Sequence, residues 1–130
     1  MAKRPVLPQP TPAEWAILGV LWEKGPCTVR DVYDALKDRS AKGYTTVLKL
    51  MQIMAQKGLV LRDERQKTHI YRACAAEERT QRQLVHDLVD RVFSGSAERL
   101  VMRALEEKKV SAEELGRIRK LLDEIEGDRT

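Results

Sequence analysis

Only one part of this chain has the residue pattern of β-strands, and that part is short. Two β-rich runs, residues 59–62 and 68–72, are separated by five polar residues, a spacing typical of a β-hairpin. From residue 11 onward, the other apolar residues recur mainly every three or four positions, as on one face of a helix. The sequence therefore predicts a mainly α fold with a single hairpin.

Three helices are predicted before the hairpin. The first begins at a Thr11 capping box and ends at Gly25. Thr28 caps the second helix, which ends near residues 38–40, and the third runs from about residue 44 to 57. The third helix has two different faces: the face predicted to be buried holds Val47, Leu50, Met51 and Met54, and the opposite face holds Thr45, Lys49, Gln52 and Gln56.

Three helices followed by a hairpin are the element order of a winged helix-turn-helix. In that fold the third helix enters the DNA major groove and the hairpin, or wing, lies along the DNA backbone. Residues 39–75 carry eight Lys and Arg against two acidic residues, and such cations neutralise phosphates. The predicted base-reading or groove-lining residues of the third helix are Thr45, Thr46, Lys49 and Gln52. The wing cations Arg62, Arg65 and Lys67 are predicted to contact phosphates, Lys42 is predicted to contact the DNA backbone before the helix, and Tyr44 is predicted to belong to the same DNA-binding surface.

The C-terminal part of the chain has a different charge and a different predicted role. Residues 1–75 carry 13 Lys and Arg against 7 Asp and Glu, whereas residues 76–130 carry 11 against 13. Three amphipathic helices with few aromatic residues cannot bury their apolar stripes well alone, which favours pairing with a second copy of the chain. The alternative is a bundle packed on the winged domain. Residues predicted to form the dimer are Leu100, Val101, Leu105, Leu115, Ile118, Leu122 and Ile125.

The sequence thus predicts three regions. They are an extended, proline-containing arm at residues 1–10, a DNA-binding winged domain at residues 11–75, and a helical dimerisation domain at residues 76–130. The helices of the last region are separated by the Ser94-Gly95-Ser96 break and by a second capping box, which opens at Ser111.

Several motifs carry a resemblance to a known family. The third predicted helix opens on Gly43-Tyr44-Thr45-Thr46-Val47 and closes on Lys57-Gly58-Leu59-Val60, which closely resembles the penicillinase-repressor family of bacterial regulators (BlaI/MecI type). Residues 12–15, 21–22 and 93–96 fit the same family, and the resemblance spans about residues 11–126. It implies a homodimeric transcriptional repressor that binds a palindromic operator through its winged domains and dimerises through its C-terminal helices.

The chain also departs from that family. In the members that sense β-lactams, the signal of a membrane receptor leads to cleavage of an Asn-Phe bond; Arg103 and Ala104 occupy the matching positions here, and the chain contains no asparagine. That cleavage site is therefore absent. The copper-responsive members carry a cysteine-rich motif near the C-terminus, and this tail has no cysteine. A membrane sensor or a protease stays a candidate antirepressor, and control of antibiotic resistance is one candidate output.

Other reactive residues are few. Cys27 and Cys74 are interpreted as reduced thiols; Cys27 precedes a helix, where a thiolate is favoured, although an inert role is the alternative. His69 and His86 lack ligand spacing with a cysteine, so no metal or other cofactor is predicted. No phosphate-binding glycine loop or nucleophile elbow is present, and an enzyme is not predicted.

The remaining expectations concern location and alternative functions. No apolar run approaches the roughly 18 residues of a membrane span, and the first residues lead into prolines and not into an apolar signal core. A cytoplasmic protein without membrane insertion is predicted. Two other functions stay open: a winged-helix domain that serves as a protein-protein adaptor, and a regulator that responds to a ligand or metal bound between wing and tail.

Overall fold

The structure is a computed structural model that describes residues 9–129 of the chain. Within these residues six helices and two strands occur in the order α1 (Pro12–Lys24), α2 (Val29–Leu36), α3 (Tyr44–Lys57), β1 (Val60–Asp63), β2 (Ile70–Ala73), α4 (Glu77–Arg91), α5 (Ala97–Glu107) and α6 (Ala112–Gly127). The two strands form one antiparallel sheet, so the predicted mainly α fold with a single hairpin is confirmed. The described residues divide into two compact units, one that ends at His86 and one that begins at Asp87. Most of the predicted arm at residues 1–10 lies outside the described residues.

Helix ends in the first unit follow local sequence signals. The Thr11 hydroxyl accepts from the Glu14 N–H, and the Glu14 carboxylate accepts from the Thr11 N–H, so the predicted capping box is formed. Thr28 forms a second such box with Asp31 at the start of α2. Helix α3 ends where predicted, at Gly58, whose φ of 85° lies in the left-handed region that glycine adopts without strain.

The hairpin begins one residue later than the sequence predicted. The Leu59 N–H still donates to the Met54 carbonyl at 2.9 Å, because it completes the end of α3, and β1 therefore starts at Val60. Arg62 pairs with Tyr71 in the register of the two strands. The segment before α2 adds one further bridge, in which Cys27 and Tyr71 exchange two backbone hydrogen bonds of 2.9 and 2.7 Å. This bridge fixes the wing against the start of α2.

One hydrophobic core holds the three helices and the wing together. Met51, Met54 and Val32 are fully buried, and Tyr71 brings its ring from β2 into the same cluster at 1% exposure. Apolar side chains of this kind contribute about 1.5–3 kcal/mol each when they leave water. The other buried hydrophobic members are Ile17, Leu18, Val20, Leu21, Cys27, Val29, Leu36, Val47, Leu59 and Val60.

A buried carboxylate links the first helix to the third. Glu14 is 1% exposed, and both of its oxygens accept from the Lys57 ammonium, at 2.9 and 3.0 Å. Burial alone raises the pKa of the Glu14 carboxyl, but the Thr11 N–H and Lys57 outweigh it, and the pKa lies below its ordinary value. The sequence predicted the cap and missed the ion pair, which ties the start of α1 to the end of α3.

The Glu14→Gln substitution is expected to lower the free energy of unfolding by about 1 kcal/mol at pH 7. The amide still accepts from the Thr11 N–H, but it loses the ion pair with Lys57, whose side chain is 38% exposed. Because the folded-state pKa of Glu14 is depressed, its stabilisation is present above the unfolded pKa and is lost as the pH falls through the folded pKa. The difference between wild type and variant should therefore shrink below about pH 4.3. Urea unfolding at several pH values measures it, and a difference independent of pH contradicts the assignment.

The second unit contains the end of α4 together with α5 and α6. Ser94 and Gly95 have positive φ angles and turn the chain before Ser96 caps α5, as the predicted break requires. The capping box predicted at Ser111 is only half formed: its hydroxyl accepts from the Glu114 N–H, while the Glu114 carboxylate meets the same hydroxyl and not the Ser111 backbone. Neither α5 nor α6 contains a buried residue.

Among residues 9–129, no helix combines the length and the apolar character that crossing a membrane requires.

Candidate nucleic-acid interface

The exposed face of α3 carries the polar residues that the sequence predicted. Val47, Met51 and Met54 point into the core with exposures of 3% or less, and this fixes the rotation of the helix. The opposite side chains are exposed: Thr45, Thr46, Lys49, Gln52 and Gln56. Lysine, glutamine and threonine can hydrogen-bond base edges in the DNA major groove, and the threonine methyl can contact thymine. The face therefore has the chemistry of direct base readout.

Aromatic contacts fix the start of α3. The Tyr44 ring meets the Tyr33 ring edge to face, with centroids 5.8 Å apart, and 40% of Tyr44 stays exposed. The Arg30 guanidinium lies over both rings, 5.9 Å from the Tyr33 centroid and 5.6 Å from the Tyr44 centroid. Arg30 is not among the DNA contacts that the sequence predicts. Its spacing to Tyr33 on one helix was visible, but the contact with Tyr44 depends on how α2 and α3 pack.

Two of the three predicted wing cations are paired with wing carboxylates. Arg65 forms a bidentate pair with Asp63, with its shortest N–O distance at 2.6 Å, and this pairing lowers the pKa of Asp63 to about 2. Arg62 pairs with Glu64, and hydrogen bonding to the Tyr71 side chain raises the pKa of Arg62. Solvent screens exposed pairs of this kind and makes them weak, so a phosphate can replace the carboxylate at little cost.

A cleft of about 300 Å³ lies between the start of α2, the first half of α3 and the wing. Four of the predicted DNA contacts line it: Tyr44, Gln52, Arg62 and Lys67. Arg30 and His69 line it as well. Thr45, Thr46 and Lys49 lie on the exposed face of α3 outside the cleft lining, and Lys42 is exposed in the turn before α3, where its N–H donates to the Ser40 hydroxyl.

The residues predicted to dimerise form partly exposed apolar surfaces on α5 and α6. Val101, Leu122 and Ile125 are 43%, 56% and 50% exposed. The other four, Leu100, Leu105, Leu115 and Ile118, are of intermediate exposure. In a single chain these helices therefore leave much apolar surface in contact with water.

The structure changes the interpretation of one thiol. Cys27 is 5% exposed, and burial, together with the nearby Asp31 carboxylate, raises the pKa of the Cys27 thiol. The thiolate that its position before a helix suggested is thus disfavoured, and the thiol donates to the Gly25 carbonyl. Cys74 is exposed. Within the part of the chain that the structure describes, no group of three or more His, Cys, Asp or Glu side chains is arranged to hold a metal ion.

Comparison with known proteins gives consistent similarities. Residues 10–124 match the model of a family described as penicillinase repressor. The transcriptional regulator BlaI of Mycobacterium tuberculosis is 33% identical over 115 residues, which cover 87% of this chain and 82% of the relative. The methicillin resistance regulatory protein MecI of Staphylococcus aureus is 20% identical over 111 residues, which cover 85% of this chain and 90% of the relative.

Proposed function

This chain belongs to the penicillinase repressor family, whose members are transcriptional repressors and not enzymes, and we propose that it represses transcription as a homodimer bound to a palindromic DNA operator. The observation that carries the proposal is the exposed face of α3. There the polar side chains of Thr45, Lys49 and Gln52 stand opposite a largely buried apolar face, in which only Leu50 is partly exposed, on a helix flanked by a cationic wing.

The division of labour on the DNA follows from the chemistry of each group. Thr45, Thr46, Lys49 and Gln52 read or line the major groove, since their side chains carry the donors, acceptors and methyl groups that distinguish base pairs. Arg62, Arg65 and Lys67 contact phosphates from the wing and Lys42 contacts one from the turn before α3, so these cations set affinity and register but not sequence.

The two-fold symmetry of a dimer would match the two-fold symmetry of a palindromic operator. Helices α5 and α6 contain no buried residue, and their exposed apolar side chains need a partner surface. A second copy offers an identical surface, and the resulting two-fold axis relates the two winged domains. Each domain then reads one half-site, and the half-sites are expected to lie about one turn of DNA, or a multiple of it, apart.

Release from the operator does not use cleavage of an Asn-Phe bond, because the chain has no asparagine. Arg103 and Ala104 lie inside α5, and Arg103 pairs with Glu106 at 3.3 Å. A protease acting as antirepressor at this position would first have to open the helix. The name of the MecI relative describes that protein as a regulator of methicillin resistance. We propose that the present chain likewise represses an antibiotic-resistance gene.

Selection of bound fragments from genomic DNA tests the function. The full-length protein is expected to enrich fragments that share one two-fold symmetric motif, and the binding constant of that motif should fall steeply as salt is raised. Enrichment of no common motif would overturn the repressor proposal. Enrichment of a motif without symmetry would overturn the dimeric arrangement alone.

The Lys49→Ala substitution is expected to weaken binding to the selected motif by about 1–3 kcal/mol and to relax specificity at the base it contacts. Lys49 is exposed on α3, so its removal leaves the core intact. Fluorescence anisotropy with the motif and with single-base variants measures both effects. Lys120→Ala, a matched change in the second unit, should leave the affinity unchanged. Equal affinities for wild type and Lys49→Ala at matched salt would remove Lys49 from the interface.

A further inference from the structure

We propose that the cleft between α2, α3 and the wing binds one phosphate of the DNA backbone, with Arg30 as its preorganised cation. The inference rests on the proposed DNA-binding function and adds to it a residue that the sequence pattern did not select. It also assigns a place for the phosphate relative to the base-reading face of α3, because Gln52 lies on that face and lines the same cleft.

Arg30 is held in place by two aromatic rings. Its guanidinium lies 5.9 Å from the centroid of Tyr33 and 5.6 Å from that of Tyr44, and the two rings pack edge to face. An arginine stacked on rings loses less conformational freedom when it binds a ligand, and its planar fork suits two oxygens of one phosphate. Since Tyr44 is the first residue of α3, the rings also couple the position of Arg30 to that helix.

The charge of Arg30 is available to an anion. Arg30 forms no ion pair with any residue that the structure describes, whereas Arg62 pairs with Glu64 and Arg65 with Asp63. The ring contacts leave the guanidinium charged and do not neutralise it. Among the described cations that line the cleft, Arg30 and Lys67 therefore need to exchange no carboxylate for a phosphate, and of these two only Arg30 is also held by aromatic rings.

The rest of the cleft is suited to an anion. Two further cations, Arg62 and Lys67, line it from the wing, and Thr28 and Thr68, whose side chains carry hydroxyl groups, line it as well. Among the described residues that line it, none is acidic. A concave site with three cations matches a phosphate better than a base edge, because a phosphate carries a full negative charge and a base edge does not. A phosphate bound here by cations of both α2 and the wing would fix these two elements to the same point of the DNA backbone.

The test compares full-length wild type, Arg30→Ala and Arg30→Lys on two duplexes of equal length, one with the selected motif and one of random sequence. For each cleft that contacts DNA, Arg30→Ala is expected to weaken binding about tenfold at 0.1 M salt and to reduce the slope of log K against log salt by about 1, and a bound dimer carries two such clefts. Arg30→Lys keeps the charge and should keep the slope, but it loses the planar fork and should bind about threefold more weakly for each cleft. Arg82→Ala, on α4, removes an exposed arginine of the same unit and should change neither quantity.

The outcomes separate this inference from the proposed function. An Arg30→Ala protein that melts like the wild type and keeps both its affinity and its salt slope would overturn the phosphate site, and so would an equal loss in Arg82→Ala. A wild type that shows no preference for the selected motif would overturn the sequence-specific function. In that case the random duplex still reports on the cleft, because a phosphate contact is independent of sequence.

Discussion

Ile125→Asp is expected to convert the proposed dimer to a monomer and to weaken its binding to the selected motif at least about 100-fold. Ile125 is 50% exposed on α6, beside Leu121 and Leu122, which are 55% and 56% exposed. In a two-fold symmetric interface each substitution occurs twice, and each buries a carboxylate among apolar side chains. The monomer then holds one half-site at a time and loses the gain from linked binding. Sedimentation velocity and anisotropy titrations measure the two effects.

Lys120→Asp is the matched control for this prediction. It introduces the same residue into the same helix, and at about 100° per residue position 120 lies on the side of α6 away from Leu122 and Ile125. The control should stay dimeric and keep its DNA affinity, although it removes more positive charge than Ile125→Asp does. If Ile125→Asp sedimented as a dimer with the wild-type dissociation constant, the apolar face of α6 would not be the dimer interface.

Local signals account for the parts of the fold that the sequence predicted well. The start of α1 at Thr11 and the end of α3 at Gly58 are set by groups within four residues of each boundary, and both lie where the sequence placed them. The rotation of α3 also follows from its own spacing of apolar residues, which is why the predicted exposed face is exposed.

The features that the sequence did not predict depend on contacts between distant segments. Glu14 and Lys57 are 43 residues apart, and only the packing of α1 against α3 brings them together. Arg30 lies over Tyr44 for the same kind of reason. The basic residues of the wing are exposed, and their role as phosphate contacts stays a prediction. Nothing in the sequence indicated that Arg65 is already paired with Asp63. A charge pattern in the sequence does not show which of its cations are already paired in the free protein.

Tyr71→Ala is expected to lower the free energy of unfolding of the first unit by about 4 kcal/mol and its melting temperature by on the order of 20 °C. The Tyr71 ring is 1% exposed and is among the largest fully buried side chains among the described residues. Its loss leaves a cavity between the wing and the helices, and it weakens the position where β2 bridges to Cys27. Since both tryptophans of the chain lie in α1, their fluorescence during thermal or urea unfolding reports on this unit.

Tyr71→Phe separates the packing of the ring from the role of its hydroxyl. Phenylalanine fills the same volume and loses only the hydroxyl beside Arg62, so its cost is expected to stay below about 1.5 kcal/mol. If the buried ring is the main contact that holds the wing in place, Tyr71→Phe should keep its affinity for DNA. Tyr71→Ala should lose that affinity even at temperatures where the helices stay folded. If both variants lost stability equally, the polar contact with Arg62 and not the buried ring would hold the wing against α2 and α3.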